Sequence, residues 1–334
     1  MTRSHVVVAV DAMGGDRAPD AVLPGVAAAL AADPGLAVAL VGPEHVVRPF
    51  SESHARTKPV AASEVIAMDE HPAQAVRQKR DSSIVVGCRL LRDGGAHAFF
   101  SAGSTGACMA AATLIVGRSA GVSRPAIAAV IPAPARPVVL LDVGANADCK
   151  PEHLLQFGHM GAAYARTMLG VAEPTVGLLN IGEEPSKGSA LAQTAHGLLA
   201  ERLPGFAGNV EGRDVPKGTV DVVVTDGFTG NVALKLMEGL SSVLFAEIKG
   251  AMTSNPLRAA AAAVLKGSLV DLKRRLDPDA YGGAPLLGVD RPVLIGHGSS
   301  GPDAVAAGIA AAARAVRSGL VEAIRDGIAS SGLA

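Results

Sequence analysis

"VVVAVDAMGGD", residues 6–16, decides how the rest of the chain is read. Five apolar residues, Val6 to Val10, run without polar alternation into Asp11, and Gly14 and Gly15 follow. A short β-branched run with no polar face is a strand buried on both sides, the mark of a parallel sheet covered by helices. The pattern recurs: "HAFF" (97–100) runs into Ser101, "PVVLL" (137–141) into Asp142 and "TVGLL" (175–179) into Asn180. "DVVVT" (221–225) runs into Asp226, and "PVLI" (292–295) into "GHGSSG" (296–301). Strands are predicted near 5–10, 36–41, 97–100, 137–141, 174–179, 220–224 and 292–295. Helices are predicted over 19–32, 84–92, 105–116, 151–169, 188–201, 229–250, 256–275 and 302–326. This alternation predicts an α/β fold, a three-layer α/β/α sandwich with a mostly parallel sheet. One catalytic domain over 1–334 is expected, with a helical excursion near 250–280. Ligands bind at the carboxyl edge of such sheets, so the six loops are expected to share one edge and one site. The alternative for any single loop is an ordinary turn or helix cap.

Composition narrows the function. The 334 residues are 49% hydrophobic and 18% charged, too apolar for disorder. A formal net charge of −1, with aromatics at 3% and no Trp, argues against a nucleic-acid partner. Cys88, Cys108 and Cys149 form no CxxC pair, which speaks for a reducing compartment and against a disulfide frame. The first apolar run is too short for a signal peptide, and no stretch has the roughly 18 uninterrupted apolar residues of a membrane span. A cytoplasmic location is expected, with membrane-surface contact left open.

Two loops suit an anion. "SAGSTGACMAA" (101–111) passes from strand to helix, and its backbone N–H groups with Ser104 and Thr105 suit a phosphate; a plain N-cap explains it nearly as well. "IGHGSSGPDAV" (295–305) matches GxGxxG between strand and helix. The dinucleotide fingerprint needs a further strand bearing an acid about 20 residues on. The residues after Gly301 stay helical, so a nicotinamide cofactor is rejected and a phosphate cradle is kept. P-loop, GxSxG and HExxH motifs are absent. Asp142 and Asp148 lack convincing metal-ligand spacing, so neither metal nor cofactor is expected.

Taken together, "VDAMGGDRAP" (10–19), "SAGSTGA" (101–107), "DVGANADCKPEHLLQFGHMG" (142–161), "GLLNIGEEPSKG" (177–188), "DVVVTDGFTGNVALK" (221–235), "YGGAPLLGV" (281–289) and "GHGSS" (296–300) resemble the PlsX family, in collinear order over almost the whole chain. One departure is Ser104, where the family pattern "SAGNTGA" has Asn. The resemblance implies a phosphate acyltransferase: fatty acyl–acyl carrier protein (ACP) plus inorganic phosphate gives acyl phosphate, for bacterial phospholipid synthesis. It implies a fold related to phosphotransacetylases and isocitrate-type dehydrogenases, and a homodimer. An enzyme using coenzyme A is the alternative. A nicotinamide dehydrogenase and a non-catalytic membrane scaffold are weaker ones.

With this chemistry, Ser101, Gly103, Ser104, Thr105, Gly106, His297, Gly298, Ser299 and Ser300 are the expected phosphate-binding residues. Lys187 is expected to neutralise phosphate or oxyanion, Asn231 to donate to the carbonyl oxygen, and Asp11 and Asp226 to orient donors. Asn146, Asn180, Gly14 and Gly15 complete the substrate site. In 255–276, Leu257, Ala261, Val264, Leu265, Leu269 and Leu272 share one helical face, with Lys266, Lys273 and Arg274 opposite. That suits an anionic membrane surface, the dimer mate or ACP. Arg77, Lys79 and Arg80 are a second candidate patch for acidic ACP.

Overall fold

The computed structural model describes residues 5–276 and 281–332. Its strands are β1 (Val6–Asp11), β2 (Leu36–Gly42), β3 (Thr57–Ala61), β4 (Ala98–Ser101), β5 (Ala126–Ile131), β6 (Val138–Leu141), β7 (Val176–Asn180), β8 (Phe206–Glu211), β9 (Val222–Val224), β10 (Ala284–Leu287) and β11 (Val293–Ile295). They form one sheet in the order β3-β2-β1-β4-β11-β10-β5-β6-β9-β7-β8. Helices cover both faces, as expected: an α/β fold with a large, mostly parallel sheet. Consecutive residues on a strand point to opposite faces, so Phe99 packs with Ile84 and Leu91 while Phe100 packs with Val26 and Ile309.

The expected strands are all present, but β3, β5, β8 and β10 were not predicted. Their sequences explain it. "AIAAVI" is half alanine, "APLL" carries a proline, and "TKPVA" is a half-exposed edge strand with Pro59. Two of these strands change the topology. β10 is antiparallel to both β11 and β5, and β5 is antiparallel to β6. The block β3-β2-β1-β4-β11 therefore points one way and the block β6-β9-β7-β8 the other. This corrects the expectation of six loops on one edge. The loops after Asp11, Ser101 and Ile295 leave one edge; those after Leu141, Asn180 and Val224 leave the opposite edge.

The helices are α1 (Val22–Ala32), α2 (Glu44–Ser53), α3 (Pro72–Gln78), α4 (Ser83–Arg92), α5 (Thr105–Ala111), α6 (Pro151–Met168), α7 (Ala190–Arg202), α8 (Gly227–Met252), α9 (Pro256–Arg275), α10 (Pro302–Arg317) and α11 (Leu320–Ser330). A π-helical turn, Ala112–Val116, continues α5. The helix expected over 302–326 is two helices, broken at Gly319, whose φ of 68° is left-handed. α8 leaves the sheet soon after its start: only Gly227 and Gly230 are buried. It exposes Phe228, Val232, Leu236, Leu240 and Leu244, and α9 exposes Leu257, Val264 and Leu265. Residues 277–280 of the expected excursion, and the side chains of Ala261, Lys273 and Arg274, lie outside the described residues. Among the described residues no single helix is long and apolar enough to cross a membrane.

Candidate active site

At the first edge, the turn after β1 is tied to the loop after β4. Asp11 is buried and accepts from Ser101 Oγ at 2.7 Å and from the Met13 N–H at 3.0 Å. Ser101 Oγ in turn accepts from the Gly103 N–H at 3.0 Å. Burial pushes the Asp11 carboxyl above its ordinary value, against the lowering effect of the Ser83 and Ser101 hydroxyls and the Met13 N–H. Gly14 leaves no room for a side chain: a Cβ there would lie 2.8 Å from the Gly103 nitrogen. Gly15 has φ of 106°. The third loop joins through the Asp16 N–H, which donates to Gly298 O at 2.8 Å, and through Arg17, whose guanidinium donates to Ser299 O. Ser104 caps α5, its Oγ accepting from the Ala107 N–H at 3.4 Å.

At the second edge, Asp142 is fully buried. Its Oδ1 accepts from the N–H groups of Ile127 (3.0 Å), Gly144 (3.2 Å) and Ala145 (3.0 Å). Its Oδ2 accepts from the Asn146 N–H at 2.7 Å and from Asn146 Nδ2 at 2.9 Å. Burial raises this carboxyl too, outweighing those donors. The start of α8 locks onto the loop: the Gly227 N–H donates to Asn146 O at 2.7 Å, and a Cβ on Gly230 would fall 1.9 Å from Asp142 O. Asp226 caps α8, accepting from the Thr229 N–H and Oγ1, both at 2.8 Å.

Between the two edges, over the antiparallel strands, lies a cavity of about 470 Å³. Gly103, Thr105 and Gly106 line it from the first edge, with His297 and Gly298. Gly144, Asn231 and Lys235 line it from the second. The floor is apolar and includes Ile127, Ala129, Val143 and Ile295. Asn231 sits beside Gly144, and one turn later Lys235 is paired with Glu238 at 2.7 Å. This constellation offers amide, hydroxyl and ammonium donors around an apolar floor, with no nucleophile beside a base. Cys108 is buried, its thiol pushed up to about 12, and burial pushes Cys149 up to about 11, so neither is a thiolate near neutrality. Among the described residues no group of three or more His, Cys, Asp or Glu could hold a metal ion.

The predicted residues therefore separate. Gly103, Thr105, Gly106, His297, Gly298 and Asn231 face one cavity. Asp11, Ser101, Gly14 and Gly15 tie the first-edge loops; Ser104 caps α5; Ser299 Oγ bonds His297 Nδ1 at 2.8 Å, and the Ser300 N–H donates to His297 O. Asn146 belongs to the Asp142 tie, and Asp226 is a helix cap. Asn180 folds the exposed loop after β7, with Nδ2 donating to Lys187 O at 3.1 Å and Oδ1 accepting from the Ile181 N–H at 2.8 Å. Lys187 is exposed in that loop and is not brought to the cavity, because β7 lies two strands beyond β6 in the sheet. Lys235 lines the cavity without having been among the expected site residues, and Asp142, noted as a strand end, anchors its loop. Lys235 reads as an ordinary polar position on a long helix; only its i+4 spacing from Asn231 places it on the same face.

The profile of a family described as "Fatty acid synthesis protein" matches residues 6–323. A phosphate acyltransferase of Desulfitobacterium hafniense is 49% identical over 322 residues, covering 95% of this chain and 96% of the relative. One from Anoxybacillus flavithermus is 43% identical over 323 residues, covering 96% and 98%. Among solved structures, the EutD phosphotransacetylase from Staphylococcus aureus superposes with a TM-score of 0.60 at 15% identity, covering 94% of this chain and 95% of that one.

Proposed function

From the premise that this chain belongs to the PlsX family of phosphate acyltransferases, and so is an acyltransferase that passes an acyl group to phosphate, we propose that its donor is a fatty acyl–ACP thioester and that its acyl phosphate product serves phospholipid synthesis. The observation that carries this reading is the cavity in which Gly-rich loops face Asn231 and Lys235 above an apolar floor. Near pH 7 inorganic phosphate is already an anion with free lone pairs, a competent nucleophile that needs orientation more than a base. One phosphate oxygen adds to the thioester carbon, and the carbonyl oxygen becomes an oxyanion. Collapse breaks the C–S bond, and the departing thiolate takes up, through solvent, the proton that the hydrogen phosphate gives up. Thr105, Gly106 and Gly298 hold the phosphate, Lys235 balances its charge, and Asn231 Nδ2 donates to the oxyanion. Asp11 and Asp142 position the loops without touching substrate.

In this reading acidic ACP docks on the exposed Arg77 and Arg80, with Lys79 half-buried between them. The exposed apolar stripe of α8 meets a second copy of the chain, and the exposed apolar residues of α9 meet an anionic membrane surface. Flotation with anionic vesicles tests the membrane contact; a wholly unbound protein removes it. The primary test is purified enzyme with phosphate and palmitoyl-ACP, acyl phosphate being captured as hydroxamate and the released thiol titrated. Phosphate-dependent appearance of both supports the assignment. Turnover with palmitoyl-CoA alone would instead make coenzyme A the carrier.

A further inference from the structure

We infer that the apolar half of the cavity is the acyl-chain subsite and that Ala129, on its floor, sets the length of chain it accepts. The inference rests on the acyl transfer to phosphate proposed for this same cavity. On β5 the residues facing this side of the sheet are Ile127, Ala129 and Ile131, all in one core cluster. Two large residues thus flank a small one. β10 places a second alanine, Ala284, on the same floor. The two alanines leave a notch between larger neighbours. Met109 on α5 and Leu234 on α8 rise on either side of it, both half-buried against the same cluster. Thr105 and Asn231 line the same cavity, so an acyl group held in the notch has the polar donors within the cavity for its carbonyl end. A methionine wall suits a flexible chain, because its side chain adapts to fill irregular gaps.

Two other cavities fit an alkyl chain less well. A larger one of about 830 Å³, at the other ends of β4 and β11, is walled by Asp290, Arg291, Arg317 and Glu322. A small one of about 110 Å³ beside Asp11, lined by Val65 and Ile84, has too little room.

Alkylphosphonates of 8, 12 and 16 carbons test this without a carrier protein, because they join a phosphate-like head to a chain of set length. Calorimetric Kd values for the wild-type protein should tighten by about fourfold per methylene until the notch is filled. Ala129→Phe should leave the 8-carbon compound least affected and cost the 16-carbon compound at least tenfold more. Leu234→Ala, at a half-buried helix position that leaves the core intact, should flatten the chain-length dependence by removing one wall. Val65→Phe, in the small neighbouring cavity, should keep the wild-type profile. The inference is overturned if both Ala129→Phe and Leu234→Ala keep the wild-type profile, or if Val65→Phe is the variant that shifts it. Failure of the carrier assignment appears separately, as absence of turnover with acyl-ACP while this binding pattern persists.

Discussion

β1 and β6 both end at a buried aspartate, on opposite edges of one sheet, and the two carboxylates are satisfied differently. Asp11 accepts mainly from hydroxyls, which rotate and can also accept. Asp142 accepts five N–H bonds, four of them from the backbone, none of which can reverse. The difference teaches what each loop is for. The first edge is a set of interlocked glycine loops closed by adaptable links. The second is a rigid seat that fixes where α8 begins, and α8 carries Asn231 and Lys235 to the cavity. A strand that ends on an acid therefore marks an anchored loop here, with the reacting groups one layer further out.

Paired amide variants separate the two carboxylates most directly. Asp142→Asn places an NH2 group against N–H donors in a buried site and should cost about 3 kcal/mol or more in urea unfolding. Asp11→Asn should cost about 1 kcal/mol, since Ser83 and Ser101 can turn to accept from the new amide. Equal losses would erase the distinction.

Titration sharpens it. Burial raises the Asp11 carboxyl above 3.8, so the folded protein favours its protonated form. That contribution is fully present below 3.8 and is withdrawn as pH rises through the raised folded value. The stability advantage of wild type over Asp11→Asn should therefore shrink as pH climbs from 3.8 toward neutrality. A growing advantage would show the carboxylate to be the stabilised form.

Smaller effects separate the two lysines. Lys235→Ala should raise KM for phosphate about tenfold, the worth of a charge-assisted contact. Lys187→Ala, in an exposed loop, should leave kcat/KM within about twofold. The reverse order would return Lys187 to the site.

Much of this was legible in the sequence, for identifiable reasons. β1, β4, β6, β9 and β11 are short β-branched or aromatic runs, and Gly14 and Gly230 mark close approaches to backbone that leave no room for a side chain. The reversal of the sheet was not legible. It depends on β5 and β10, whose alanines and proline carry no strand signal, yet Ala129 and Ala284 lie on the cavity floor. The same small residues that hid the strands make the room for a ligand. Asp142 was visible as a strand end, but four of its five donors need the folded 144–146 turn and the fifth, the Ile127 N–H, comes only once β5 pairs with β6. Lys187 stood in a loop dense with polar residues, and its distance from the cavity is a fact of strand order alone.

The measurement that bears most directly on the central claim, one cavity joining both edges, is steady-state kinetics of Asn231→Ala with palmitoyl-ACP and phosphate. With the oxyanion donor lost, kcat should fall about 100-fold or more, while KM for phosphate, held by Thr105, Gly106, Gly298 and Lys235, should change less than about twofold. An unchanged kcat would contradict it, because Asn231 would then lie beside the reaction without taking part.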